Sequence, residues 1–153
     1  METVLVSNSR SIAVRLAVVA CLFAPLAACG GSSPSSPTPN VAYSQTDLRV
    51  GTGDEAVNGK LLTVNYTGWL YDANQTDQKG AQFDTSVGKA PFQFRLGAGA
   101  VIAGWDRGLV GMKVGALRRL VVPPSLGYGA AGNGPIPGNA SLVFDVELLA
   151  VSN

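Results

Sequence analysis

The chain is 153 residues long, 46% hydrophobic and only 14% charged, with 11 Lys plus Arg against 10 Asp plus Glu and no histidine. That length accommodates one domain with a segment to spare. The near-neutral balance gives no general attraction for nucleic acid, and the missing histidines exclude the Ser-His-Asp triad, the commonest general base and most zinc sites.

Residues 1–28 read as a signal peptide. Arg10 and Arg15 make a basic start, then "LAVVACLFAPLAA" runs apolar to Ala28 and is too short for a comfortable membrane span. "LAAC", from Leu26 to Cys29, matches the bacterial lipobox, in which the cysteine takes lipid and becomes the mature N-terminus. Cys29 is therefore the expected lipidation site. "GGSSPSSPTPN" follows it, and Gly, Ser and Pro bury no apolar surface, so residues 29–44 are expected to form a flexible linker. A multiply acylated Cys29 would hold the domain at a membrane surface. The expected location is the cell envelope, facing periplasm or exterior. Gly30, where an aspartate often marks inner-membrane retention, favours an outer membrane. Cys21 leaves with the signal, so the folded part carries no cysteine at all. Without Arg10, Arg15 and Glu2 the rest of the chain holds nine basic and nine acidic residues.

From Gln45 onward, over residues 45–153, the pattern is one of short strands and turns. "DLRVGTG" predicts a strand ending in a glycine turn. "KLLTVNYTGWLY" (residues 60–71) is rich in the β-branched and aromatic residues that strands prefer. "DANQTDQKGAQ" reads as a polar hairpin loop. "PFQFRL" puts Phe92, Phe94 and Leu96 on one face, with Phe94 the first choice for core. "VIAGWDRGLVGM" (residues 101–112) repeats Val101, Ile102, Trp105 and Leu109 at helical spacing, with Gly111 and Gly115 to stop it. "ALRRLVVP" is a further strand, residues 124–139 a Gly/Pro loop, and "SLVFDVELLAV" a last strand with Leu142, Phe144, Val146 and Leu148 inward. Asp145 and Glu147, alternating on its other face, read as a solvated edge. These elements predict an α+β domain, an antiparallel sheet covered by one short helix.

The chemistry on offer is unusual. No cysteine or histidine remains to act, "GTG" and "GAGAVIAG" do not join a strand to a helix as nucleotide loops do, and no P-loop lysine follows them. Aromatic residues are instead spread over every element: Tyr66, Phe83, Phe92, Phe94, Trp105, Tyr128 and Phe144. Some are core. Others sit beside polar groups, as Phe83 does beside Asp84, and suggest an apolar cleft in which Tyr66 hydrogen-bonds to Asp84.

In order, "VNYTGWL", "FDTS", "PFQFRLG", "VIAGWDRGLVGMKVG", "PPSLGYGAAG" and "IPGNASLVFDVELL" resemble the FKBP-type peptidyl-prolyl cis-trans isomerases, over essentially residues 45–151. The resemblance implies an antiparallel β half-barrel wrapped around the helix, with the active pocket between helix, sheet and loops. It implies catalytic roles for Tyr66, Asp84, Ile102, Trp105 and Tyr128, with Trp105 as the floor under a proline ring. It implies that the Ile102 N–H and the Tyr128 hydroxyl meet substrate carbonyls, and that Phe83, Phe92, Val101, Ile136 and Phe144 complete the substrate-binding wall. No cofactor and no metal is expected. The implied partners are proline-containing polypeptides, exported proteins among them, and rapamycin-class macrolides; the membrane is reached only through the lipid anchor, and the chain is expected to be a monomer. Two other readings share the residues: a proline-peptide-binding chaperone module without turnover, and a structural surface lipoprotein that keeps only the fold.

Overall fold

In the computed structural model, residues 41–153 are described; the expected signal peptide, the expected lipidation site Cys29 and nearly all of the expected linker lie outside them. Among these residues the chain runs β1 (Ser44–Arg49), β2 (Leu61–Tyr71), β3 (Lys79–Thr85), β4 (Phe92–Arg95), α1 (Ala103–Gly108), β5 (Leu117–Val122), a single 3-10 turn (Pro124–Leu126) and β6 (Leu142–Ser152). All strand pairs are antiparallel, in the order β1-β5-β6-β2-β3, with β4 also on β2. The α+β half-barrel around one short helix is the observed architecture.

The two long strands carry the core because their apolar residues keep a period of two. Leu62 and Val64 of β2 and Leu142, Phe144, Val146 and Leu148 of β6 are all buried on the helix side. Val143, on the opposite face of β6, is buried as well. β6 is not an edge. It lies between β5 and β2, so Asp145 is not the solvated carboxylate the alternation suggested. Arg119 donates two hydrogen bonds to it, at 2.7 and 2.9 Å, and Lys79 a third at 2.7 Å. Burial alone would raise the Asp145 carboxyl, but these hydrogen bonds outweigh it and hold the group below its ordinary value. Glu147 likewise pairs with Arg49.

The stretch expected as one polar loop, residues 72–82, is divided. The loop covers residues 72–78, and Lys79 opens β3, where its ammonium lies 4.0 Å from the Trp69 ring centroid and reaches Asp145. These cross-strand polar contacts leave no apolar alternation to read. β1 begins at Ser44, three residues ahead of the predicted "DLRVGTG", and ends inside it at Arg49.

The helix is six residues long, not twelve. Val101 and Ile102 precede it, Ile102 as N-cap with ψ 148°, and the chain leaves the helix before Gly111, which stands at φ +77°. Residues 111–114 are taken by residues 53–56 instead: Gly111 N–H donates to Ala56 O and Ala56 N–H to Met112 O, both at 2.8 Å, and Val114 N–H to Asp54 O at 2.9 Å. Tertiary hydrogen bonding ends the helix where local periodicity would have continued it.

So short a helix holds its place by close packing. A Cβ on Gly104 would sit 2.7 and 2.9 Å from the two methyls of Val122, and one on Gly108 would sit 2.7 Å from a Leu120 methyl. The N-terminal strand closes over the other side. The Tyr43 hydroxyl donates to Gly104 O at 3.0 Å, Arg107 lies over the Tyr43 ring, and Arg118 donates to Gly108 O at 2.8 Å while Asp47 takes its other N–H groups at 2.6 and 3.0 Å. Among the described residues, contacts with the helix thus include Tyr43, just before the expected boundary at Gln45. Because Val122 is β-branched and stiff, Gly104→Ala is expected to overpack this seam and cost about 1–3 kcal/mol in urea denaturation. A wild-type midpoint in that variant would mean the helix seats more loosely than its contacts indicate.

Candidate functional site

A cleft of about 160 Å³ opens between α1, the sheet and the loop after the 3-10 turn. An engineered apolar cavity of about 150 Å³ takes up a benzene-sized ring, so this one suits a single small ring. Its lining is Tyr66, Phe83, Asp84, Phe92, Ala100, Val101, Ile102, Trp105, Tyr128 and Phe144.

Trp105 is the floor. It is 4% exposed, and its ring meets Tyr66 at 5.2 Å and Phe144 at 5.4 Å, both edge-to-face, with Phe94 at 5.7 Å and Phe92 at 6.3 Å. Rings crossed at such angles satisfy the aromatic quadrupole and lock the indole in one orientation. Its N–H has no hydrogen-bond acceptor among the described residues.

Tyr66 sits where β2 changes partners. Before it, Leu61 to Val64 pair with β4; after it, Thr67 to Tyr71 pair with β3. Its backbone is satisfied from the loop that leaves at this point: Ser86 Oγ accepts the Tyr66 N–H at 2.9 Å, and Ser86 N–H donates to Tyr66 O at 3.0 Å. Its hydroxyl donates to the Asp84 carboxylate, as the sequence suggested. Consecutive residues of a strand ordinarily point to opposite faces, yet Phe83 and Asp84 both line the cleft. A bulge accounts for it, since Gly68 pairs with Asp84 and Trp69 with Gln82, leaving Phe83 as the extra residue. Gly68 is required opposite them, because a Cβ there would lie 2.6 Å from the Phe83 ring and 2.9 Å from Phe144.

The remaining wall is held from the helix. Asp106 accepts the Gly97 N–H at 2.9 Å and the Gly99 N–H at 3.0 Å, fixing a loop in which both glycines have positive φ. That loop delivers Ala100 and Val101 to the cleft. Neither Asp106 nor Ala100 was legible beforehand: alanine carries no chemistry, and the helix gave no sign that its acid faced a loop. Ile136 departs from expectation. It is buried in the core, 5% exposed, and is not among the lining residues, because the tight turn at residues 133–136 folds it inward. The Ile102 N–H and the Tyr128 hydroxyl, by contrast, have no hydrogen-bond partner among the described residues, and both residues line the cleft.

Desolvation by burial, then the hydrogen bond to Asp84, push the Tyr66 hydroxyl well above its ordinary value of 10.0. It therefore stays protonated at neutral pH, and the chain has no histidine. The rate of any reaction in this cleft is expected to be flat between about pH 6 and 8; a bell-shaped profile centred near neutrality would contradict this site. Stability has a different profile. The unfolded tyrosine loses its proton first as pH climbs, so the contribution of this group falls away from about pH 10 upward. Among the described residues no cluster of His, Cys, Asp or Glu is arranged to hold a metal ion.

Known proteins are similar to this chain in sequence and fold. A family model described as FKBP-type peptidyl-prolyl cis-trans isomerase matches residues 53–149. The FK506-binding protein of Neisseria meningitidis serogroup A is 50% identical over 107 residues, 69% of this chain and 92% of that protein. Among solved structures, AtFKBP13 superposes with a TM-score of 0.61 at 36% identity, covering 71% of this chain and 91% of that one. FkpA from Escherichia coli gives 0.62 at 39% identity, covering 75% and 50%.

Proposed function

The chain belongs to the FKBP-type peptidyl-prolyl cis-trans isomerases, and from that premise we propose that it turns X-Pro bonds in exported polypeptides, using the aromatic cleft, from a lipid anchor at Cys29. The observation that carries the reading is Trp105, a flat buried indole walled by four aromatic rings beneath an open cleft.

Rotation of an X-Pro bond meets a barrier of about 20 kcal/mol because amide resonance must be broken. In the twisted form the carbonyl is less polar than in the planar one, so an apolar, water-poor cleft favours it relative to the ground state. The proline ring rests on the Trp105 indole. The Ile102 N–H and the Tyr128 hydroxyl, left without partners by the fold, are donors for substrate carbonyls on either side of the rotating bond. A gain of about 5–7 kcal/mol brings tens of seconds to milliseconds. No proton moves, so the absent histidines are no obstacle. The deciding experiment is turnover of a chromogenic X-Pro peptide by the purified chain. Binding of the peptide without acceleration would reduce the protein to a peptide-holding module.

The name of the Neisseria relative, FK506-binding protein, supports a macrolide of that class as a competing ligand of the same cleft. The anchor rests on "LAAC" and the Gly/Ser/Pro tract after it, which support a domain held in the envelope, on the periplasmic or outer side. Cys29→Ser is expected to abolish incorporation of a labelled fatty acid and release the protein from membranes. Its turnover is expected to stay unchanged, since Cys29 lies far upstream of the domain in sequence. Retention of the fatty-acid label by that variant would refute lipidation at Cys29.

A further inference from the structure

Two Asn-Gly pairs stand in the described part of the chain, Asn58–Gly59 and Asn133–Gly134. In such a pair the glycine nitrogen, unshielded by any side chain, can attack the asparagine Cγ. An N–Cγ bond forms, the Cγ–Nδ2 bond breaks, and Nδ2 leaves as ammonia with the proton given up by the glycine nitrogen. Water then opens the cyclic imide at one carbonyl or the other, giving aspartate or isoaspartate. Only water is consumed.

The fold treats the two pairs differently. Gly59 N–H donates to Leu96 O at 2.8 Å, and the Asn58 side chain packs against Gly97, where a Cβ would lie 2.7 Å from Asn58 Oδ1. Asn58 is exposed, but its attacking nitrogen is held in a main-chain hydrogen bond and its side chain is crowded against Gly97. Asn133 is exposed at the tip of the loop after Tyr128. Its main-chain N–H and C=O are bonded to Ile136 at 2.9 Å each, but its side chain and the Gly134 N–H have no hydrogen-bond partner among the described residues. An asparagine opening a turn is often held by a bond from its side chain to the N–H two residues on. Here that residue is Pro135, which has no N–H. The next main-chain donor is Gly134 itself, the attacking nitrogen.

We propose that Asn133 is a site of spontaneous deamidation and that the fold protects Asn58 from the same reaction. The product places a carboxylate at the tip of a loop whose base carries Tyr128. The isoaspartyl form also adds a carbon to the main chain of a two-residue turn, so the Asn133–Ile136 bridge cannot re-form in register.

The test holds the purified full chain at mildly alkaline pH in heavy-oxygen water, once folded and once in concentrated urea. Both tryptic peptides are then followed by mass spectrometry, with fragmentation to locate the change. In the folded chain Asn133 is expected to gain the mass of an amide-to-acid exchange with one heavy oxygen and to split into two chromatographic forms, while Asn58 stays intact. In urea both are expected to convert at similar rates. Equal rates for the two sites in the folded chain would overturn the proposal. So would a difference that persists in urea, which would place its origin in the neighbouring sequence and not in the fold.

Discussion

Trp105→Ala is expected to lower the free energy of unfolding by about 3–5 kcal/mol, read from urea denaturation, and to abolish isomerase turnover. The indole is 4% exposed and touches rings from β2, β4 and β6, so its removal empties the junction of three strands with the helix. Trp105→Leu fills part of that space and forfeits no hydrogen bond, since the indole N–H has none to lose among the described residues. The leucine variant should therefore keep much of the stability while losing the flat floor. Fluorescence separates the two roles. A prolyl ligand is expected to shift wild-type emission as water leaves the indole face, and the shift should vanish in Trp105→Leu. Trp69, beneath the Lys79 ammonium on the other face of the sheet, remains as an unresponsive background. A full shift in the leucine variant would make Trp105 ordinary core and put the ligand elsewhere.

Asp84→Val should cut kcat/KM by about 10- to 100-fold, or about 1.4–2.7 kcal/mol, with little change in folding. Asp84 is exposed at the rim of the cleft, so its loss leaves no cavity. It does release Tyr66, whose hydroxyl it accepts, and it gives up the bond from the Thr85 N–H at 2.8 Å. The ring at the junction of β3 and β4 is then free to turn across the cleft. If Asp84 acts through Tyr66, then Tyr66→Phe should cost a similar factor and the double variant little more than either. Additive losses would show the carboxylate working independently of the tyrosine, and an unchanged kcat/KM in Asp84→Val would leave it a rim charge without a role.

What could be read from the sequence followed from local period and from ordered motifs. Leu142, Phe144, Val146 and Leu148 announced the inner face of β6 because a strand alternates. Tyr66, Asp84, Trp105 and Tyr128 were found because their motifs are distinctive. Most of what failed was decided by partners distant in sequence. The helix was read too long because nothing near Gly111 reveals that Ala56 will bond to it. Asp145 was read as solvated because alternation gives a face but not the strand's place in the sheet, and only that place brings Arg119 and Lys79 to it. Lys79 itself was read as loop because its contacts are polar. Ile136 was carried over by position, and a turn closing between Asn133 and Ile136 withdrew it from the cleft.

Among the described residues Tyr43 is the first that packs on the core cluster, and its hydroxyl bonds to the helix that carries Trp105. A mechanical load entering the described residues at their N-terminal end meets that contact early. It strains the Tyr43–Gly104 hydrogen bond and the edge strand β1 before it reaches the long ladder of β2 and β6. Tension applied at Tyr43 would therefore tilt the Trp105 floor of the cleft well before it unravelled the sheet.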